Sequence, residues 1–163
     1  MFPLLRLSSP NAAAQVQLIR GCYERAGLDL SNPADRPQFF ECHGTGTQAG
    51  DATEAEAIAT AFGLTTKDFE CEPLKVGSIK TVVGHTEGAA GLAGIMKASL
   101  ALQNMTFPPN LLFDRLNPRI KPFYSNLEVS TAEATWLPPL GAPRRASVNR
   151  RVLFYTCYNV YLF

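Results

Sequence analysis

Histidine is nearly absent from this chain. Only His43 and His85 occur in 163 residues, so any imidazole chemistry near neutral pH rests on those two positions. Cysteine is sparse and unpatterned. Cys22, Cys42, Cys71 and Cys157 lie too far apart in sequence for a metal knuckle or a redox pair. No metal is therefore expected, and in a reducing compartment all four are expected as thiols. No apolar run approaches the roughly 20 residues of a membrane-spanning helix. The opening Met1-Phe-Pro-Leu-Leu-Arg-Leu7 has neither the apolar stretch nor the small-residue cleavage site of a signal peptide, so a cytoplasmic location is the expectation. A surplus of one charge sign is missing as well. The net charge is +1, and the only basic doublets are Arg144-Arg145 and Arg150-Arg151. Nothing here argues for nucleic acid or an anionic membrane surface as a partner.

What is present suits a globular domain. Hydrophobic residues make up 46% and charged residues 18%, enough apolar material for a core in a chain of this length. There are no internal repeats and no low-complexity segments. The two histidines occupy matched settings, Glu41-Cys-His-Gly-Thr-Gly-Thr47 and Gly77-Ser-Ile-Lys-Thr-Val-Val-Gly-His-Thr-Glu-Gly-Ala-Ala-Gly91. Each reads as an apolar strand, a histidine and a small-residue turn into a helix. Ligand crevices of α/β sheets form beyond the carboxyl ends of strands, so two such imidazoles converge on one pocket. Cys42 adjoins His43, but adjacent side chains of a strand point to opposite faces, which argues against a Cys-His nucleophile.

The hydrophobic pattern alternates between helix and strand. Ser9 and Pro10 open a first helix, apolar at Val16, Ile19, Cys22 and Tyr23, that stops near Gly27. Residues 37–43 form a strand. Asp51 caps a helix over 52–62, with Glu54 completing a capping box. Residues 74–83 form the next strand. The helix over 86–104 is expected to be buried, because Gly88, Gly91, Ala93 and Gly94 let it lie close to its neighbours, with Lys97 interrupting its apolar surface. Beyond Phe107, proline pairs punctuate loops and short strands, including an edge strand at 127–130 and another strand starting at 146–149.

The loop Gly44-Thr-Gly-Thr-Gln-Ala-Gly50 follows a strand and precedes a helix, as a dinucleotide-binding loop does. Its glycine spacing departs from that pattern. Asp51, Glu54 and Glu56 crowd the first turns of the following helix and repel a pyrophosphate. A small nucleotide-binding α/β protein is therefore disfavoured.

Two long stretches carry a resemblance: Glu41-Cys-His-Gly-Thr-Gly-Thr-Gln-Ala-Gly-Asp51, and Val76 through Gly94. With Phe107-Pro-Pro-Asn110, residues 116–124 and Pro143-Arg-Arg-Ala-Ser-Val-Asn149, they resemble the β-ketoacyl synthase (ketosynthase) domain of polyketide synthases. The likeness is nearest to the fungal highly reducing type, including those fused to a peptide synthetase. It spans about residues 8–149, leaving 1–7 and 150–163 outside the family pattern. It implies the carboxyl-terminal half of a thiolase-like α/β fold, a mixed sheet packed between helices.

The same resemblance implies the chemistry. A ketosynthase holds an acyl chain on a cysteine and decarboxylates a malonyl unit carried by an acyl carrier protein. The carbanion then attacks the thioester. By resemblance His43 and His85 donate to the thioester oxygen, Lys80 orders the pocket, and Thr45 and Thr47 line the phosphopantetheine arm. Glu87 supports the site, by pairing with Lys80 or by favouring its helix amino terminus. The phosphopantetheine arm is then the substrate carrier, with no cofactor bound directly. Expected partners are the acyl carrier protein, the half-domain bearing the cysteine, and a second copy, since the family is homodimeric.

Departures from the pattern matter equally. No Ala-Cys-Ser elbow occurs in the chain, and none of its four cysteines has that context. After Asn149 the family continues with a glycine-rich loop that forms part of the oxyanion hole. Here Arg150-Arg-Val-Leu-Phe-Tyr-Thr-Cys-Tyr-Asn-Val-Tyr-Leu-Phe163 stands instead, a run of β-formers with the character of a frame change or an opportunistic edge strand. The expectation is a ketosynthase part unable to condense alone. The alternative is a non-catalytic module that binds a carrier arm or caps a synthase as an accessory.

Overall fold

The computed structural model describes residues 11–64, 72–137, 142–152 and 156–162, with side chains as far as Arg150. Helix α1 (Ala12–Arg25) is capped by Asn11, whose side chain accepts the Ala14 amide at 3.1 Å. Ser9 and Pro10, the expected opening of this helix, lie outside the described residues. The chain leaves α1 through Gly27, at φ 72°, a left-handed conformation that suits glycine.

Strand β1 (Phe39–Glu41) leads to α2 (Gln48–Ala61), and β2 (Leu74–Gly77) to the short α3 (Lys80–Val83) and then α4 (Ala90–Asn104). After β3 (Thr106–Phe107) come β4 (Leu127–Val129), β5 (Ala134–Thr135), β6 (Ala146–Val152) and β7 (Thr156–Leu162). Five strands form one sheet in the order β4-β2-β1-β6-β7, and β3 pairs with β5 separately. The first four strands of the large sheet are parallel, and β7 is antiparallel to β6. This is the mixed sheet the sequence implies, with the expected strand at 127–130 on its edge.

The alternation of β1 builds two cores. Phe40 faces Ile19 and Tyr23 of α1 and Ile58 of α2, with Leu74 and Val76 beside it. Phe39 faces the other way, onto Ala98 and Ala101 of α4 and onto Trp136. Both phenylalanines are buried, and each meets an aromatic partner edge-on, Phe40 with Phe62 at 6.0 Å and Phe39 with Trp136 at 6.1 Å. The sheet is thus sandwiched, with α1 and α2 on one face and α4 on the other.

Three local expectations are corrected. The strand expected over 74–83 ends at Gly77. There the Ser78 amide turns to Asn110 Oδ1 and the Ile79 amide to Glu41 Oε1, so side chains replace the strand ladder and the backbone coils into α3. The helix expected from Ala52 begins at Gln48. Thr47 rather than Asp51 caps it, its hydroxyl accepting the Gly50 amide at 3.2 Å. Helix α4 is buried on one stripe only, Ala90, Gly94, Ala98 and Ala101. Its opposite side leaves Leu92, Met96 and Leu100 66%, 64% and 55% exposed. The small residues do buy close approach, but only along that stripe. Residues 156–162 of the tail are part of the sheet: β7 is in register with β6 at seven positions, from Ala146 with Leu162 to Val152 with Thr156.

Candidate active site

Parallel pairing of β1 with β2 sets Glu41 opposite Gly77, so both strands end at the same edge of the sheet. His43 lies two residues past the end of β1. His85 follows the α3 turn after β2. The two rings meet edge to face, with centroids 5.7 Å apart and planes at 90°. His43 is half-buried, and His85 is exposed on the outer side of the pair.

A buried carboxylate shapes the His43 turn. Glu54 of α2 accepts the His43 amide at 2.7 Å and the Gly44 amide at 3.0 Å, and Asn149 Nδ2 donates to it at 2.6 Å. It therefore ties α2 and β6 to the loop that carries the histidine. Gly44, at φ 42°, is required there, because a Cβ would lie 2.7 Å from the Ser78 Cβ. Burial pushes the Glu54 carboxyl above its ordinary range, against the hydrogen bonds from Gly44, His43 and Asn149.

His85 is held differently. Its Nδ1 accepts the Glu87 amide at 2.9 Å. A neutral imidazole with an acceptor at Nδ1 carries its proton on Nε2, so His85 presents an N–H donor. Lys80 opens α3 rather than lying on a strand, and it is half-buried. Burial lowers its pKa, opposed chiefly by the Glu41 carboxylate. No ion pair joins Lys80 and Glu87 among the described residues. Glu87 instead heads a short 3-10 turn, Glu87–Ala89, and is exposed. Thr45 and Thr47 are both exposed on the loop after His43, with the Thr47 oxygen engaged in capping α2.

Beneath the histidines lies a buried ion pair. Lys97 Nζ of α4 donates to Glu41 Oε2 at 2.7 Å, with side-chain exposures of 9% and 2%. The other Glu41 oxygen accepts the Ile79 amide at 2.5 Å, which fixes the start of the turn leading to Lys80. Lys97 also sits over the Phe39 ring, 5.3 Å from its centroid. An open cavity of about 760 Å³ adjoins the site, lined by Cys42, Glu54, Ser78, Thr81, Asn110 and Tyr124 among others, with both imidazoles outside it. The two imidazoles, expected to converge on one pocket, meet each other outside this cavity.

Comparison with known proteins identifies the family. Residues 5–114 match the family model for the β-ketoacyl synthase C-terminal domain. The chain belongs to that family. It is 62% identical over 146 residues to the polyketide synthase-nonribosomal peptide synthetase ffsA of Aspergillus flavipes, covering 88% of this chain and 4% of that protein. It is 59% identical over 150 residues to the lovastatin nonaketide synthase mokA of Monascus pilosus, covering 88% of this chain and 5% of that protein. The chain thus spans about one-twentieth of the length of the curated relatives it matches. Among solved structures, the ketosynthase from module 6 of the bacillaene synthase of Bacillus subtilis 168 superposes with a TM-score of 0.82 at 33% identity, over 95% of this chain and 27% of that one. An oxazolomycin ketosynthase domain of Streptomyces albus gives 0.80 at 34% identity, over 94% and 26%.

For a ketosynthase C-terminal domain, the cysteines are informative. Cys42 turns to the Phe40 side of β1, away from Glu41, and its Sγ lies 3.8 Å from the Phe40 carbonyl. Burial, then the Glu54 and Glu41 carboxylates, push its thiol well above its ordinary pKa, the reverse of what a nucleophile needs. Cys22 lies on α1, where burial likewise raises its thiol. Among the described residues no cluster of three or more His, Cys, Asp or Glu forms a metal site, and no helix is long and apolar enough to cross a membrane.

Sequence reasoning missed three contacts around the histidine turns. Glu54 reads as a capping residue, yet it points inward to His43. Asn149 reads as the end of a motif, yet it reaches Glu54. Lys97 reads as a solubilising interruption, yet it is buried. One signal was available: Lys97 falls on the same helical stripe as the buried Gly94, Ala98 and Ala101, where an unpaired lysine is not tolerated.

Proposed function

We propose that this chain supplies the histidine side of a decarboxylating ketosynthase site, acting on a malonyl thioester carried by an acyl carrier protein. Residues 8–149 form that part, and residues 150–163 are a divergent addition to it. The observation that carries the reading is the His43–His85 pair at 5.7 Å, with Nδ1 of His85 engaged as an acceptor. In this reading one thioester oxygen accepts hydrogen bonds from both rings, each at an ordinary donor distance of about 2.7–3.1 Å.

In this reading the malonyl carboxylate enters near Lys80. Its bond to the α-carbon breaks, carbon dioxide leaves, and the electron pair moves into the thioester as an enolate. His43 and His85 stabilise the enolate oxygen by hydrogen bonds. Lys80 orders the approach by charge, Thr45 and Thr47 lie beside the phosphopantetheine arm, and Glu87 sets the ring of His85. Condensation then needs an acyl thioester on a cysteine, which forms the new carbon–carbon bond as the thiolate leaves. No cysteine of this chain has the family's nucleophile context, so a segment bearing that cysteine has to supply it. The carrier protein, that segment and a second copy of the chain are the partners this reading calls for.

The test is release of carbon dioxide from malonyl carrier protein. Release that depends on both histidines supports the proposal. Tight carrier binding without release supports the second reading, a non-catalytic carrier-binding module.

A further inference from the structure

We infer that Arg150 is a positioning residue for His85: its guanidinium holds the Glu87 turn in the conformation that keeps the His85 proton on Nε2. The inference rests on the reading of His85 as a hydrogen-bond donor. Arg150 is the first residue after Asn149, where the sequence is expected to leave the ketosynthase pattern.

Four observations converge. Arg150 Nη2 donates to the Glu87 carbonyl at 2.7 Å, and Nη1 donates to the Gly88 carbonyl at 2.9 Å. The fork thus spans two successive carbonyls of one turn, a geometry suited to guanidinium. Glu87 sits at φ 43°, in the left-handed region that non-glycine residues rarely adopt, so something outside the turn has to hold it there. The Glu87 amide donates to His85 Nδ1 at 2.9 Å, and that bond selects the tautomer. The arginine stem packs tightly on the start of α4, since a Cβ at Gly91 would lie 2.8 Å from Arg150 Cδ. Arg150, the strained Glu87 backbone and the His85 ring therefore form one line of contacts.

The test uses the full 163-residue chain labelled with nitrogen-15 at histidine. The chain has just two imidazoles, and His43→Gln assigns them. Imidazole nitrogen shifts, recorded in dilute solution above the histidine titration, report the tautomer of each ring. In the unsubstituted chain His85 is expected as the Nε2–H tautomer. In Arg150→Met its tautomer ratio falls by about fivefold to tenfold, the change made by one lost hydrogen bond of ordinary net strength. His43 does not change. Glu87→Gly in the Arg150→Met background restores the ratio, because glycine adopts the left-handed turn without the clasp. Should Arg150→Met fail to fold, Arg150→Lys carries the test: it keeps the stem and charge but lacks the two-pronged planar donor, and a smaller shift in the same direction is expected. A folded Arg150→Met or Arg150→Lys chain with an unchanged His85 tautomer overturns the inference, even if its melting temperature falls. Carbon dioxide release indifferent to His85→Ala would instead sink the donor reading and leave the tautomer result standing.

Discussion

Lys97 of α4 and Glu41 at the end of β1 form a buried ion pair at 2.7 Å directly beneath the histidine turns. Through the Ile79 amide the same carboxylate fixes the segment that leads to Lys80. Removing one partner strands the other in a low-dielectric site, a loss of about 3–5 kcal/mol, whereas removing both leaves no orphan charge. Glu41→Gln and Lys97→Met should each lower the urea unfolding midpoint strongly, and the double variant should lose much less than their sum. Simple additivity across this four-member cycle would count against the pair as a coupled unit.

The carboxyls at this end of the fold give a pH signature. Glu54 and Asp51 are both pushed above the ordinary range, in each case chiefly by burial. The folded state then keeps protons that the unfolded chain has released. Their stabilisation is complete below the ordinary carboxyl pKa of about 4 and is lost as pH rises through the elevated values. Asp29, lowered by its hydrogen bonds from Ser31, acts with opposite sign at more acid pH. Stability should therefore fall with rising pH above about pH 4, and Glu54→Gln should flatten the fall. Urea midpoints from pH 4 upward provide the check. An identical slope in Glu54→Gln and the unsubstituted chain would be inconsistent with this origin.

The tail makes a separate prediction. Because β7 covers β6 at seven register positions, removing residues 153–163 opens a strand edge in the middle of the site's support. At roughly 0.5–1.5 kcal/mol net per ladder bond, a loss of about 2 kcal/mol or more is expected, with increased association. Equal or greater stability of the shortened chain would show that β7 adds nothing to the sheet.

The outer face of α4 predicts self-association. Leu92, Met96 and Leu100 are one helical turn apart and more than half exposed, and Val82 and Val83 are exposed as well. The 163-residue chain should associate as its concentration rises, and Leu92→Gln with Met96→Gln should reduce that, as read by sedimentation. A monodisperse monomer at high concentration would contradict the expectation.

Much of this arrangement was legible in the sequence. The Phe39-Phe40 run and the alternation of helix and strand mark the sheet, and the two histidine settings mark the turns whose rings meet. The legible features share a cause: each depends on residues adjacent in the chain. What escaped depends on contacts between distant segments. Glu54 takes three donors, two from residues 43 and 44 and one from residue 149, so local pattern assigns it to a cap. The Ser78 and Ile79 amides bond to side chains at 110 and 41, so an apolar run that continues to Val83 stops being a strand at Gly77. The tail reads as a run of β-formers suited to an edge strand, and its partner, β6, is the part that local pattern does not name.

Carbon dioxide release from malonyl carrier protein by the purified chain, with product analysis, addresses the central claim most directly. Enolate stabilisation needs only oriented donors, whereas condensation needs a thiolate. Missing support usually loosens a site by about 1 Å, enough to cost roughly 100-fold, so the expected release is slow. It should drop to background in His43→Ala and in His85→Ala, and no β-ketoacyl product should form. Formation of a β-ketoacyl product by this chain alone, or release that survives loss of both histidines, would contradict the account.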